Sequence, residues 1–274
     1  MSTLHKSLAA LALAGLAMNA HAHRPWLLPS TSVVDAKEAW VTVDAAISED
    51  LFVIDHQPLK LDAVVATGPD GARVNLENAQ TGKLRSTFDL RLAKPGTYKI
   101  GMVALNVSGS YKDKAGETKR FRGTEESMAK DVPADAQDLK VSRTHSRLET
   151  FVTTGTPNDT VFKPTGVGLE LVPLTHPAEL RAGEKASWRF LLDGKPAANQ
   201  AFSLIPGGVR HRGTLGEIRQ STDAKGEISF TVPEAGVYLV SSSWPVAAPA
   251  VPGQPPQMPA RRATYAATLE ILPQ

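Results

Sequence analysis

Two histidines, His21 and His23, lie two residues apart in "NAHAHRPWLLPS" (Asn19 to Ser30). What they can do depends on where the working chain begins. Residues 1–22 have the form of a secretory signal, with Lys6 as its only charge, an apolar run from Leu8 to Ala17, and the small-x-small triplet Ala20-His21-Ala22 at its end. Cleavage after Ala22 makes His23 the first residue and sets its α-amine beside its own imidazole. An α-amine has a pKa of about 8, so it yields its proton to a competing metal near neutral pH. The amine and ring Nδ1 then close a chelate. One more histidine completes a three-nitrogen set of the tetragonal kind that suits Cu(II) or Ni(II). Cleavage after Ala20 would instead start the chain His21-Ala22-His23, which chelates the same ions through the amine, the intervening amides and the third-position ring. Either cut leads to the same metal preference.

Internal ligands must come from the remaining histidines. "LFVIDHQPL" sets His56 beside Asp55 at a strand end, and His56 is the first choice as partner of His23. On a continuing strand Asp55 would point to the opposite face, so another carboxylate would have to hold the ring unless the chain turns at "DHQP". His176, in "PLTHPAEL", precedes Pro177 in a turn and ranks second. His145, in "RTHSRLE", ranks third; Glu149 shares its strand face but stands well away. His211 lies between Arg210 and Arg212, a poor setting for a cation. No HxxxH or HExxH pattern occurs, and no GxSxG elbow, so no internal motif assigns a catalytic role, and the chain is expected not to be an enzyme. "GPDGAR" and "IPGGVR" read as turns rather than phosphate loops. Trp26, Trp40, Trp188 and Trp244 read as core rather than as a sugar-stacking platform.

Composition narrows the class. The chain has no cysteine, which removes disulfides, thiol nucleophiles and thiolate metal sites, so a core alone must carry stability. Net charge is +2 and basic residues do not cluster, which makes nucleic acid and anionic membrane poor partners. The apolar run near the start is too short to span a bilayer, and no later stretch is long enough. The expected product is a soluble periplasmic protein of roughly 250 residues, enough for one large domain or two ordinary ones.

The elements that must position the histidines are strands. "ASWRFLLDG" alternates Trp188, Phe190 and Leu192 against Ser187 and Arg189, and "GEISFTV" alternates Ile228, Phe230 and Val232 against polar residues. Period two with one apolar face means half-buried antiparallel strands, and "GPDGAR" and "TDAKGE" supply turns. "LAKPGTYKI" and "VPEAGVYLV" echo each other, each with Pro, then Gly, then Tyr two residues later, as at the tyrosine corner of immunoglobulin-like sandwiches. The pattern predicts an all-β chain of two sandwiches: residues 23–157, a linker at 158–165 within a Thr/Gly/Pro-rich stretch, and residues 166–274. A Pro-rich loop over Trp244–Ala260 must interrupt the second sheet. "SMAKDVPADAQDL" (Ser127 to Leu139) reads as a short helical insert, and "ATYAATLEIL" as the closing strand.

Together "AHRPWLLPS", "DLFVIDHQPLKLDAVVATGPDG", "RFRGT", "LETFVTTGTP", "GLELVPLTHPAELRAGEKASWRFLLDGKPAANQAFSLIPGG" and "TDAKGEISFTVPEAGVYLV" resemble the bacterial domain-of-unknown-function 4198 family over nearly the whole processed chain. The resemblance implies export, immunoglobulin-like or transthyretin-like β-sandwiches, and a link to transition-metal uptake, with nickel or cobalt foremost and copper or iron as further candidates. A membrane importer or a TonB-dependent receptor is the implied partner. His23 matches a family position expected to be a ligand. His56 and His176 match recurrent histidines without an assigned role. The expectation is a periplasmic metal-binding protein that hands its ion to or from an importer. The alternatives are a non-metal adhesion or scaffold module and a copper-dependent oxidative enzyme built on an N-terminal histidine.

Overall fold

The computed structural model describes residues 23–246 and 259–274. The signal segment with His21, and most of the Pro-rich stretch, lie outside the described residues. The first half runs β1 (Arg24–Pro29), β2 (Val33–Val34), β3 (Trp40–Ser48), β4 (Gln57–Pro58), β5 (Val65–Thr67), β6 (Arg73–Val74), β7 (Glu77–Thr81), β8 (Ser86–Arg91), β9 (Gly96–Lys112) and β10 (Thr118–Gly123), then helix α1 (Glu125–Asp131) and β11 (Gln137–Thr154). The second half runs β12 (Leu169–Pro173), β13 (Lys185–Leu192), β14 (Lys195–Pro196) and β15 (Ala201–Pro206), helix α2 (Val209–Arg212), then β16 (Ile218–Ser221), β17 (Glu227–Thr231), β18 (Gly236–Trp244) and β19 (Arg261–Ile271). The described chain is built almost wholly of β-strands.

Three sheets form. β1-β3-β8-β7, with β4 beside β3, make one, and β12-β13-β14 with β17 make another. The third is a ten-stranded sheet in the order β16-β15-β18-β19-β11-β9-β5-β6, with β10 on β9 and β2 on β11. It belongs to both halves. β11 pairs antiparallel with β9 and, from Arg143↔Arg261 to Thr150↔Thr268, parallel with β19. Alternation along β11 sends Leu148 and Val152 into a first core with Val43, Phe88, Leu90 and Ile100. Phe151 points the other way, into a second core with Trp188, Phe190, Phe202 and Tyr265. One strand thus serves two cores on opposite faces, and its last residues are buried on both sides.

The two echoed segments are structurally equivalent corners. Tyr98 donates its hydroxyl to the Lys94 carbonyl at 2.8 Å, and Tyr238 does the same to Glu234 at 2.8 Å. Each follows a glycine with positive φ. Gly96 sits at φ +130°, where a Cβ would meet the Pro69 Cβ at 2.4 Å, so both backbone and space require glycine. The turns at "GPDGAR" and "TDAKGE" close through Gly71 to Gly68 and Gly226 to Asp223.

Some expectations need correction. The helix starts two residues earlier than expected, capped by the Thr124 side chain on the Ser127 amide, and ends at Asp131. Pro133 disfavours helical geometry at Val132, and Gln137–Leu139 already belong to β11. Trp26 and Trp188 are core, but Trp40 is 40% exposed at the outer end of β3. Trp244 is half-buried, packed against the second core with the Arg261 guanidinium over its ring. Residues 158–165, expected as a linker, pack closely. Val161 and Phe162 enter the second core, and Asn158 accepts from the Thr97 amide and donates to the Pro69 carbonyl.

Candidate metal centre

His23 immediately precedes β1, whose register with β3 pairs Arg24 with Ser48. His23 therefore stands beside Glu49, the residue that follows β3. On the other flank of β3, β4 pairs Gln57 with Ile47, which brings His56 to the same strand end. The result is a compact cluster. The rings of His23 and His56 stack at 3.9 Å with 5° between their planes. His23 Nε2 lies 3.2 Å from Glu49 Oε1. One ligand atom from each of His23, Glu49 and His56 falls within 4.8 Å of the others, the one such grouping of three among the described residues.

The loop carrying these groups is held from two sides. The Asp55 carboxylate accepts from the Glu49 and Asp50 amides, both at 3.0 Å, so the chain does turn before "HQP". Asp55 shapes the backbone, and Glu49 is the carboxylate that reaches the His23 ring. Leu51 is fully buried in a third, smaller core with Trp26, Ile205 and Leu239, a burial that contributes about 1.5–3 kcal/mol. Phe52 takes a left-handed φ of 62° and packs edge-on against Trp26 at 5.7 Å. It sits so close to Gly207 that a Cβ there would meet it at 2.9 Å. Trp26 Nε1 in turn donates to Ser48 Oγ at 2.7 Å. Residues of the second half therefore brace a loop of the first.

Chemically, this is two imidazoles and a carboxylate at an open rim, with His23 and Glu49 exposed. With Nε2 protonated and donating to Glu49, His23 keeps Nδ1 free. Nδ1 is the nitrogen that can share a ring with an α-amine on the same residue. Carboxylates commonly fix the tautomer of ligating histidines in this way.

His145 and His176 lie outside the cluster. His176 caps the 3-10 turn Pro177–Glu179: its Nδ1 accepts from the Ala178 amide at 3.1 Å and its Nε2 lies 3.0 Å from Thr97 Oγ1. Both ring nitrogens are engaged, and the ring ties the two halves together. His145 is buried on β11, with Nδ1 unpartnered among the described residues and pressed against Gly168. His211 sits in α2 among arginines. Burial lowers the pKa of His176, and burial first and then Arg147 lowers that of His145. Because each folded pKa lies below the unfolded value, their contribution to stability is complete above about pH 6.5. It is lost as pH falls through the folded pKa. Urea midpoints should therefore drop below about pH 6.5, and His176→Gln and His145→Gln, which cannot titrate, should flatten that part of the profile. An unchanged profile in both variants would refute the assignment.

Glu49 carries no local motif that marks it as part of the site. The signal for it is register: it is the residue facing His23 once β1 and β3 are paired.

Such a scaffold defines a class: all-β proteins in which two sandwiches share a sheet and a histidine–carboxylate cluster sits at one rim. The chain belongs to the family described as "Domain of unknown function (DUF4198)", whose model matches residues 20–245. No curated protein matches it. Among solved structures it is similar to the D0-D1 domain of Intimin, at 12% identity over 90% of this chain and 97% of that one, with a TM-score of 0.22. It is also similar to the human OSCAR ligand-binding domain, at 14% identity over 91% and 99%, with a TM-score of 0.22. At such scores nothing about binding passes from those proteins to this one.

Proposed function

We propose that this is an exported transition-metal-binding protein of the periplasm, which carries an ion at its processed N-terminus and exchanges it with a membrane importer or a TonB-dependent receptor. The observation that supports this reading is the stacked His23–His56 pair with Glu49 at 3.2 Å from the His23 ring. His23 supplies Nδ1 and its freed amine, His56 a third nitrogen, and Glu49 orients the His23 ring. A nitrogen set of this kind favours Cu(II) and Ni(II), with Co(II) weaker. An exposed site with exchangeable ligands suits transfer better than permanent storage. No catalytic step is assigned to it.

Calorimetric titration of the chain beginning at His23 with Cu(II), Ni(II), Co(II) and Zn(II) tests the reading. Binding of one ion per chain is expected, tightest for Cu(II) and next for Ni(II), following the usual divalent-metal order. Absence of binding by all four would leave a β-sandwich module without metal.

A further inference from the structure

A cleft of about 280 Å³ opens where β1 and β3 approach β19 and β18, separate from the histidine cluster. Its walls include Leu28, Pro29, Pro177 and Val237. Its polar groups are unusual in being all acceptors or hydroxyls, and no lysine or arginine lines it. Phe151 and Leu269 are turned into the second core, so their neighbours Thr150, Thr268 and Glu270 project from the opposite face of the sheet, toward the cleft. Thr150 spends its hydroxyl on the Thr268 carbonyl at 3.1 Å. Thr268 is only 2% exposed, yet its hydroxyl has no hydrogen-bond partner among the described residues. A buried hydroxyl without a partner is unfavourable, and a ligand group placed there would relieve it.

The charge in the cleft comes from two carboxylates. Asp44 is balanced by Arg85, whose Nη1 donates to Oδ2 at 3.1 Å. Glu270 is held by Ser32 alone: its Oε2 accepts from the Ser32 amide at 2.8 Å and hydroxyl at 2.7 Å. Its Oε1 accepts nothing among the described residues, and no cation pairs with it. Ser32 fixes the carboxylate without neutralising it. A guest that fits must bring a positive charge and N–H donors for Glu270 and Thr268, and an apolar body for the walls.

We propose that this cleft is a binding site for a small organic ammonium, a primary amine on a short apolar body, seated with its charge on Glu270 Oε1. The size is near the lower end of small-molecule sites, which hold guests in apolar walls with a few placed polar groups. The site is distinct from the metal cluster and does not depend on the metal reading.

The test uses the chain from His23 with cyclohexylammonium as probe and cyclohexanol, which has the same ring and no charge, as control. Amide chemical-shift titration should show saturable binding of cyclohexylammonium that moves the signals of Ser32, Val237 and Thr268, with cyclohexanol weaker by about tenfold or more. Glu270→Gln, which keeps the shape and removes the charge, should weaken the amine by about tenfold. Thr268→Val, close to isosteric, should weaken it several-fold. The same spectra report whether each variant is folded, and if Glu270→Gln is not, Thr268→Val decides. No saturation, equal affinity for cyclohexanol, shifts mapping elsewhere, or folded variants that bind like the wild type would each overturn the proposal.

Discussion

His56→Ala should weaken Cu(II) binding to the processed chain by about tenfold or more, while His211→Ala leaves it unchanged. Loss of groups that only support a metal ligand typically costs 10–100-fold in affinity, and removal of a ligating imidazole should cost at least as much. His56 is stacked on His23 at 3.9 Å, whereas His211 lies in α2, flanked by Arg210 and Arg212. Two further variants separate the roles in the cluster. A Gly-Ser extension before His23 removes the amine from the chelate and should reduce affinity at least as much as His56→Ala. Glu49→Gln keeps a hydrogen-bond acceptor for His23 Nε2 but loses the charge, so its effect should be smaller than either. Calorimetry with Cu(II) reads all of them. If the extended chain and His56→Ala both bind like the wild type, the cluster is not the metal site.

Arg147→Ala should destabilise the fold by about 3–5 kcal/mol, the usual cost of stripping one partner from a buried ion pair. Arg147 is 6% exposed and lies between two carboxylates that are equally hidden. Its Nη1 donates to Glu149 at 3.3 Å, and its Nη2 lies 3.2 Å from Glu170 Oε1 and donates to Thr165 Oγ1 at 3.0 Å. Tyr265 donates to the second Glu149 oxygen at 3.1 Å. Burial first and Glu149 second push the Tyr265 hydroxyl well above its ordinary pKa, so it remains a donor. Burial also acts to raise the Glu170 pKa, but the Thr165 amide and hydroxyl, the Gly166 amide and Arg147 outweigh it and hold the carboxyl below its ordinary value. Glu170 thus contributes stability above its unfolded pKa that is lost as pH falls through the folded one. Removing Arg147 leaves Glu149 and Glu170 facing each other, with Lys99 at 3.8 Å as the remaining cation on Glu149. Replacing all three charges together, Arg147→Met with Glu149→Gln and Glu170→Gln, should recover much of the loss, since of the network's charges only Lys99 then remains, and its side chain is 22% exposed to water. Guanidinium unfolding of the two variants checks both statements. A loss below about 1 kcal/mol for Arg147→Ala would show the pair to be solvated.

The network has a structural role that explains its position. Arg147 and Glu149 are on β11, Glu170 on β12, Tyr265 on β19 and Lys99 on β9. It crosses the line where the two sandwiches meet, on the strand that serves both. The sequence "RTHSRLETFVTT" does not betray this. Its mixture of charge and apolar residues reads as a half-exposed strand, because local alternation reports one buried face and cannot register a second sheet packed on the other.

Much of the architecture was legible locally. The β-class follows from period-two alternation in "ASWRFLLDG" and "GEISFTV", which become β13 and β17 and pair with each other through Trp188↔Ile228. The two corners were legible because each needs a specific triad of proline, positive-φ glycine and tyrosine within a few residues. Trp40 and the exact extent of α1 were not, since exposure at a strand end and the competition between a helix and the following strand depend on neighbours far away in sequence. His23 and His56 stood out by residue type and by a possible free amine, and both are chemistry that a sequence carries on its face. Glu49 and the buried Thr268 hydroxyl did not, because each gains its meaning only opposite another strand. Residue types and short-range periodicity determine which groups can bind and which segments are strands. Which of those groups meet is decided by strand register, as where Arg24 pairs with Ser48, and by the parallel pairing of β11 with β19, whose partners lie more than a hundred positions apart in sequence, Arg143 with Arg261, so that its free energy appears only when the whole sheet is assembled.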